Sequence, residues 1–537
     1  MNKKRVVKYI VVVALLALIA IILLNDIKTN SLSWQWLLPL VIAAVVAGGW
    51  DVDGNGDGAQ AEPAYDPQTG GLKERLGRVK ATRWVRFGIV SAIFLAWVVW
   101  LGNPWVLLAW PLLADIYLTQ FIPWTWWRGV KNTALRTVMG WVDAIVYALV
   151  LVYFLFLFVG QNYQIPSSSL EKTLLTGDFL WVNKMVYGPR VPQTPLHFPL
   201  AQNTLLGCKS YIEWPQFEYH RLKGLRSVEH GDIVVFNVPS GDTVAVNMPN
   251  PDYYTLCFEV GAERLGAGAP REAIMQAGRE YIAAHPQQFG EVITRPVDRR
   301  DNYVKRCVGL PGDTLAVSDG RVIINGVPET LPAAVQYLYY IEATAPIDDA
   351  TFERLGIAVD DRHLTDDRHG YIIPLTATMV KQLQALPQVT TVTRSVPGEV
   401  DALLSYPVGY NMGWTHTDYG PIWIPKRGAT IALNAETLPL YERCIRAYEG
   451  NTLERGADGQ ILINGKPATS YTFKMDYYWM MGDNRDNSLD SRYWGFVPED
   501  HIVGTPNVVL VSFDKDKPLS DGGLRWNRVF ITPNPDK

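Results

Sequence analysis

Hydrophobic residues are distributed differently in the two parts of this chain. Up to Gly160 they form long, nearly unbroken runs; beyond it they form short β-branched and aromatic runs closed by Gly, Pro or Asn-Gly. About 20 consecutive apolar residues cross a bilayer as a helix. Five runs approach that length: 9–24, 36–49, 87–101, 105 to about 122, and 138–160. The second is short and interrupted by Pro39. The first follows a basic start (Lys3, Lys4, Arg5, Lys8), but Asn25-Asp26-Ile27-Lys28 offers no small-residue cleavage site, so it reads as a retained helix. Arginine and lysine concentrate before the first run, between 73 and 86, and at Arg128, Lys131 and Arg136. The positive-inside rule then puts the N-terminus in the cytosol and, after five crossings, everything beyond Gly160 outside.

In the second part, residues 178–182, 232–236 and 321–326 read as strands. An amphipathic helix is expected between Arg271 and His285. The stretch 319–328, Asp-Gly-Arg-Val-Ile-Ile-Asn-Gly-Val-Pro, returns at 458–467 as Asp-Gly-Gln-Ile-Leu-Ile-Asn-Gly-Lys-Pro. One hairpin type used twice explains it. The expected division is a membrane region over 1–160 with a cytosolic loop at 51–86, a mostly-β domain over 161–328 and 475–530, and an inserted β-rich domain over 329–474.

Composition narrows the classes. A net charge of -4 argues against a nucleic-acid binder, and eight histidines with no HExxH argue against a zinc hydrolase. Cys208, Cys257, Cys307 and Cys444 show no metal spacing; outside the cytosol they have the option of disulfides, whose pairing spacing cannot choose. Residues Asp51 to Asp57 with Glu62 fit a calcium-loop pattern. Gly58, however, takes the place of the hydrophobic residue that pins such a loop, and Pro63 and Asp66-Pro67 spoil an exit helix. An acidic, Gly-rich linker is the preferred reading. Neither a metal nor a cofactor is expected.

Three segments carry candidate chemistry. The first is Gln164-Ile165-Pro166-Ser167-Ser168-Ser169-Leu170-Glu171-Lys172, just beyond the last apolar run. Serines after a proline are ordinarily a turn or a cap. The second, Tyr303-Val304-Lys305-Arg306-Cys307-Val308-Gly309-Leu310-Pro311-Gly312-Asp313, sets a lysine beside valine in an apolar strand. Burial there lowers its pKa and makes a neutral amine that accepts a proton; the plain alternative is a surface lysine. The third runs from Gly482 to Gly495, a loop dense in Asp, Asn, Arg and Ser that reads as cross-linking itself.

Together, and in this order, these segments and the strand Gly231-Asp232-Ile233-Val234 resemble type I signal peptidase, the bacterial leader peptidase family. The resemblance implies an N-terminal multi-helix membrane region followed by a mostly-β catalytic domain with a large β-rich insertion. It implies Ser169 as nucleophile and Lys305 as general base. Ser488 would orient the amine, Asp490 and Arg492 would brace the polar loop, and the Ser169 N–H with the Ser167 hydroxyl would stabilise the oxyanion. The wall beside Ser169 would be built from Ile165, Pro166, Leu170, Leu174, Tyr303 and Val304. This chain departs from the family in having Leu170 where methionine is usual and Glu171-Lys172 in place of x-Pro.

The implied activity is a membrane-bound serine endopeptidase that cleaves signal peptides from exported preproteins. Its partners would be those signal peptides and the lipid bilayer, in proximity to the secretion translocon and with no nucleic acid. It would sit in the bacterial inner membrane, multi-pass, with the catalytic domain on the periplasmic side. Two alternatives remain open: an inactive relative that binds signal peptides or scaffolds secretion, and a His-dependent serine hydrolase using His416 or His230. Against the latter, no G-x-S-x-G elbow surrounds Ser169.

Overall fold

The computed structural model describes residues 76–533, apart from positions 78, 80, 102–103, 120, 123–125, 199, 206, 366–369, 396–402 and 457–458. The apolar runs at 9–24 and 36–49 and the acidic stretch 51–62 lie outside the described residues. The chain divides into two compact units, Met1–Phe154 and Leu155–Lys537.

In the first unit, α1 (Ala81–Leu101) covers the third apolar run. The fourth run forms a continuous apolar helical stretch, Pro104–Thr119, shorter than a full span and irregular in its winding. It winds as a 3₁₀ segment Pro104–Ala109, a short helix Trp110–Ala114 and a π turn Asp115–Thr119. Asp115 is the physical reason for the break at its far end. Its carboxylate accepts from the Thr119 hydroxyl at 2.6 Å and from the amides of Phe121 and Ile122, drawing the chain out of helical register. The fifth run is α2 (Thr133–Phe158), apolar, exposed over most of its first half and half-buried toward its end, with Phe158 alone buried. Among the described residues it is the one helix found long and apolar enough to cross a membrane, so of the three expected spans that fall on described residues one is represented.

The second unit is mostly β. Its main sheet contains β1 (Gly160–Gln164), β2 (Asp178–Asn183), β3 (Ile233–Asn237), β4 (Asn302–Gly309), β5 (Tyr477–Met481), β6 (Val497–Pro498) and β7 (Ile502–Ser512), in the spatial order β1-β2-β7-β3-β4-β5-β6. All neighbours are antiparallel. β2 alternates buried and half-buried positions, whereas β3 is buried throughout. Both patterns match the sequences: alternation for a one-sided strand, an unbroken Ile-Val-Val-Phe for a central one covered on both faces. β1 lies at the edge, its outer backbone unpaired by any strand of the sheet.

Three further bodies surround this sheet. Strands Thr314–Ser318, Arg321–Ile324, Val327–Pro328 and Tyr419–Trp423 form a second sheet, sharing one core with Trp479, Phe496, Leu438 and Tyr441. Residues 336–394 build their own four-stranded sheet and their own core around Ile341, Ile373, Leu375 and Leu383. The third body is a helix pair, α3 (Tyr253–Leu265) and α4 (Arg271–Ala284). α4 is the helix read from the sequence, and α3 was not anticipated. The two pack closely because a Cβ on Gly261 would strike the Ile274 carbonyl, and one on Gly278 the Cys257 carbonyl.

The repeated hairpin is real. Arg321–Ile324 pairs with Val327–Pro328, and Ile461–Ile463 with Lys466–Pro467. Each is closed by an Asn-Gly pair with both φ positive, Asn325 and Gly326 at 52° and 82°, Asn464 and Gly465 at 51° and 73°. That geometry is the reason Asn-Gly marks a two-residue turn. All four cysteines are free, and Cys257, Cys307 and Cys444 are buried in three different cores.

Candidate active site

β1 delivers the serine segment. After Gln164 the chain turns inward, Ile165 exchanging backbone hydrogen bonds with Asp178 and Gly177 at 2.9 Å each. A helical turn follows, with the Leu174 N–H bonded to the Leu170 carbonyl at 2.8 Å. Ile165, Leu170 and Leu174 are 4%, 1% and 0% exposed and pack with Leu180, Val182 and Val235. These three residues, expected to line a substrate wall, are core. Burial of their apolar side chains holds the serine turn against the sheet. Pro166 is exposed, and Tyr303 and Val304 are half-buried on β4.

β4 delivers the lysine, opposite Val234 of β3. Lys305 Nζ donates to Ser169 Oγ at 2.6 Å, and the two residues are 4% and 9% exposed. Burial lowers the lysine pKa to about 8, although Asp490 and Asp483 pull it upward; Arg492 adds to the lowering. Burial of an ammonium outweighs distant counter-charges here because the carboxylates are already engaged elsewhere. The Lys305 ammonium also stands 5.7 Å from the Tyr303 ring centre.

The polar loop engages itself as expected. Arg492 grips Asp490 through Nε to Oδ1 at 2.9 Å and Nη2 to Oδ2 at 2.8 Å, both residues fully buried. Asp490 also accepts the Gly482 N–H at 3.1 Å. Burial pushes its carboxyl up, but Arg492 and the Gly482 N–H hold it below the usual range. Ser488 stands beside Gly482 and the Ser169 carbonyl, since a Cβ on Gly482 would meet the Ser488 side chain and, at 2.6 Å, Ser169 O. Its hydroxyl is buried and makes no hydrogen bond, to Lys305 or to any other described residue. Ser167 is exposed, and the Ser169 N–H, on the same segment, has no acceptor among the described residues.

Reading the sequence missed a second buried ion pair. Arg306 holds Asp483 bidentately, and the Thr173 hydroxyl donates to the same carboxylate at 2.6 Å. Next to it, the Asn484 N–H donates to the Ser169 carbonyl at 3.1 Å and its side chain to the Ser168 carbonyl at 3.3 Å. The polar loop is thereby fixed to the serine segment. The density of polar residues at 482–495 pointed to the loop, but nothing local names Arg306 as the partner.

The two histidines are elsewhere. His230 Nε2 lies 2.7 Å from Asp313, and His416 is 3.7 Å from Asp486; neither is bonded to Ser169. Among the described residues no group of three or more His, Cys, Asp or Glu side chains gathers where it could hold a metal.

The structure thus sets a buried serine beside a buried lysine, between an edge-strand turn and a central strand. The chain is 26% identical to the signal peptidase I of Haemophilus influenzae over 383 residues, which covers 71% of this chain and 72% of that protein. It is 22% identical to the signal peptidase I of Buchnera aphidicola subsp. Baizongia pistaciae over 388 residues, 71% of this chain and 79% of the relative. With the signal peptidase I of Buchnera aphidicola subsp. Acyrthosiphon pisum it shares 42% identity over 79 residues, 15% of this chain and a quarter (25%) of that relative's length. The family model described as "Signal peptidase, peptidase S26" matches residues 138–344 and 424–511, more than half of the chain and both strands that bring Lys305 and the polar loop together. This chain belongs to that peptidase family.

Proposed function

We propose that the protein is a membrane-anchored serine endopeptidase that removes signal peptides from exported preproteins, with Ser169 as nucleophile and Lys305 as its general base. The observation that carries this reading is the 2.6 Å hydrogen bond between Lys305 Nζ and Ser169 Oγ in a buried setting. A serine hydroxyl is a weak nucleophile at neutral pH and needs an adjacent proton acceptor. A lysine serves only when its amine is neutral, and burial moves Lys305 in that direction. Ser169 Oγ attacks the scissile carbonyl while Lys305 takes its proton. The tetrahedral oxyanion is met by the Ser169 N–H and the Ser167 hydroxyl, and the proton passes on to the leaving amine. Water then repeats the sequence on the acyl-enzyme. Asp490 and Arg492 hold the loop that carries Ser488 against the dyad.

In this reading residues 1–160 are the membrane region, 161–328 with 475–530 the catalytic domain, and 329–474 an insertion. α2, ending just before β1, supports an anchor that presents the site at the bilayer surface, near the secretion translocon, on the outer side of the bacterial inner membrane. Unpaired backbone on β1 offers an extended substrate a strand to add to. The test is cleavage of a preprotein by the detergent-solubilised protein beside Ser169→Ala, Lys305→Ala and Lys305→Arg. All three variants should be inactive while folded, Lys305→Arg because a guanidinium stays protonated. Substantial activity in any of them would exclude the dyad.

A further inference from the structure

A cavity of about 450 Å³ lies beside the edge strand of the main sheet. Its walls come from the last residues of α2 (Phe156 and Leu157), from β1, and from loops after β2 and before β4. Its charged lining is mostly basic. Lys184 and Arg190 face it, and every group they are hydrogen-bonded to is neutral. Lys184 Nζ donates to the Phe156 carbonyl and, at 3.2 Å, to Gln161 Oε1; Arg190 donates to the Asp500 carbonyl and, at 2.7 Å, to Asn237 Oδ1. Two acids share the lining: Asp298 is a counter-charge to Lys184 and Arg190 as well as to Arg299, while Asp301 is engaged outside it. Asp298 stands 3.6 Å from Arg299, and Asp301 is bonded to Arg295 at 3.0 Å. His197 contributes no charge, because burial, followed by Arg299, lowers its pKa to about 4.

We propose that this cavity binds a phosphate group, carried by a phospholipid headgroup or free in solution, between Lys184 and Arg190. With Arg299, the two cations put three positive charges around the cavity against the one carboxylate of Asp298, and their own hydrogen bonds go to neutral groups, so positive charge is in excess. A phosphate relieves it, because charge-assisted hydrogen bonds to a dianion or monoanion are stronger than those to carbonyls and amides. Arginine's planar fork matches phosphate oxygens, and the lysine adds a point charge. The strain on the present arrangement is visible in the lysine itself: burial first, then Arg190 and Arg299, push its pKa down to about 7. Arg190 is lowered too, to about 10, by burial and then by Arg221. The cavity also has an apolar side where Phe156 and Leu157 close it, as a headgroup site at the end of a membrane helix requires, whereas free phosphate would use the polar side alone. The proposal does not depend on the proteolytic reading.

The test uses the full chain in non-ionic detergent. In one arm, inorganic phosphate is titrated and followed by calorimetry. In the other, the protein is loaded from micelles containing phosphatidylglycerol and phosphatidylcholine, and retained lipid is counted by native mass spectrometry. Saturable binding of one phosphate or one phosphatidylglycerol per chain is expected, weakened about tenfold or more in Lys184→Gln and Arg190→Gln, with Arg190→Lys intermediate. Binding in the lipid arm only, or in the phosphate arm only, assigns the source. A variant that loses its near-ultraviolet dichroism is set aside. In its place, acetylation of Lys184 in the unaltered protein should slow several-fold when either probe is present. If the unaltered protein binds neither probe, if the folded variants bind as it does, or if Lys184 reacts at the same rate throughout, the proposal is overturned.

Discussion

Arg306 holds Asp483 through two parallel hydrogen bonds, Nε to Oδ1 and Nη2 to Oδ2, each 2.7 Å long, across 177 residues of sequence. Arg306 is the neighbour of Lys305 on β4, and Asp483 precedes Asn484, whose N–H bonds the Ser169 carbonyl. The ion pair therefore clamps the lysine strand and the serine segment to one another. Its geometry is bidentate and fully buried, so the carboxylate left behind by removing the arginine would be uncompensated. Arg306→Met should cost about 3–5 kcal/mol of stability. Denaturant unfolding followed by tryptophan fluorescence measures it, and a loss under about 1 kcal/mol would mean the pair is not holding the site.

The pH profile follows from Lys305. Its pKa is lowered to about 8 by burial, and only the neutral amine accepts the serine proton. Peptide cleavage by the unaltered protein should fall about tenfold per pH unit below about 8 and level off above it. The linkage has the same sign. The folded chain sheds this proton before the unfolded chain does, so stability contributed by this group rises with pH from about 8 toward the ordinary lysine value. A cleavage rate that is flat from pH 6 to 9 would point to a different base, those limits being set roughly two units below and one above the lysine.

Gly482 makes a third prediction. A Cβ there would run into the Ser488 hydroxyl and lie 2.6 Å from the Ser169 carbonyl. The Ser488 hydroxyl, which makes no hydrogen bond, can turn away, but the Ser169 carbonyl is backbone held by the Asn484 N–H and does not yield cheaply. Gly482→Ala should cut kcat at least about 100-fold while the chain still folds, a loss comparable to that of one oxyanion donor. Kinetics with circular dichroism as the folding control decide it; an active Gly482→Ala would show that this contact gives way freely.

The sequence carried the site unevenly, and the reasons are physical. Ser169, Lys305 and the polar loop were legible because each lies in a segment whose local composition is unusual. The Asn-Gly turns were legible because two adjacent positive φ values demand those residues. Arg306–Asp483 was not, since a pair 177 residues apart leaves no local trace. Nor was the direction of Ile165, Leu170 and Leu174. Their packing against Leu180, Val182 and Val235 comes from strands far along the chain and leaves no mark beside the serine. The self-contained body at 336–394 was read merely as part of a long insertion, because its strand order, Gly370–Thr376 and Val389–Arg394 flanking Gln336–Ala343, is a matter of long-range pairing.

Lys172 stands where the family pattern has proline, and its backbone explains why this chain lacks one. Its φ is +72°, a conformation closed to proline, whose ring fixes φ near about -65°. Its amine also bonds the Gly356 carbonyl, tying the serine segment to the body at 336–394. Lys172→Pro should therefore destabilise the chain and abolish cleavage, despite restoring the family residue. Lys172→Gly, which accepts the positive φ, should keep most of the activity. Parallel assays of the two variants check this, and an active Lys172→Pro would mean that the turn rearranges without cost.

The last prediction concerns which bond is cut. Behind Ser169 the chain is filled by Leu170 and Leu174, at 1% and 0% exposure, so no deep pocket opens there for a large side chain. What remains toward the substrate is Pro166, exposed at the turn, and half-buried Tyr303 and Val304. None of these bears a charge to pair with a lysine or a glutamate. A substrate strand lying along β1 would gain its affinity from main-chain hydrogen bonds, and shallow apolar contacts would do the selecting. Such a site favours small, uncharged residues at the first and third positions before the cut, by steric exclusion. Because exclusion by one methylene is worth only about 1–3 kcal/mol, alanine, glycine and serine should differ modestly, while phenylalanine, lysine and proline before the scissile bond should not be cut. A peptide series varying that single residue measures it as kcat/KM. Efficient cleavage after lysine would mean that the residue is taken not by this wall but by the acids Glu171, Asp360 and Asp361 that line the cavity beside Pro166, Ser167 and Ser168, and the signal-peptidase reading would then have to be given up.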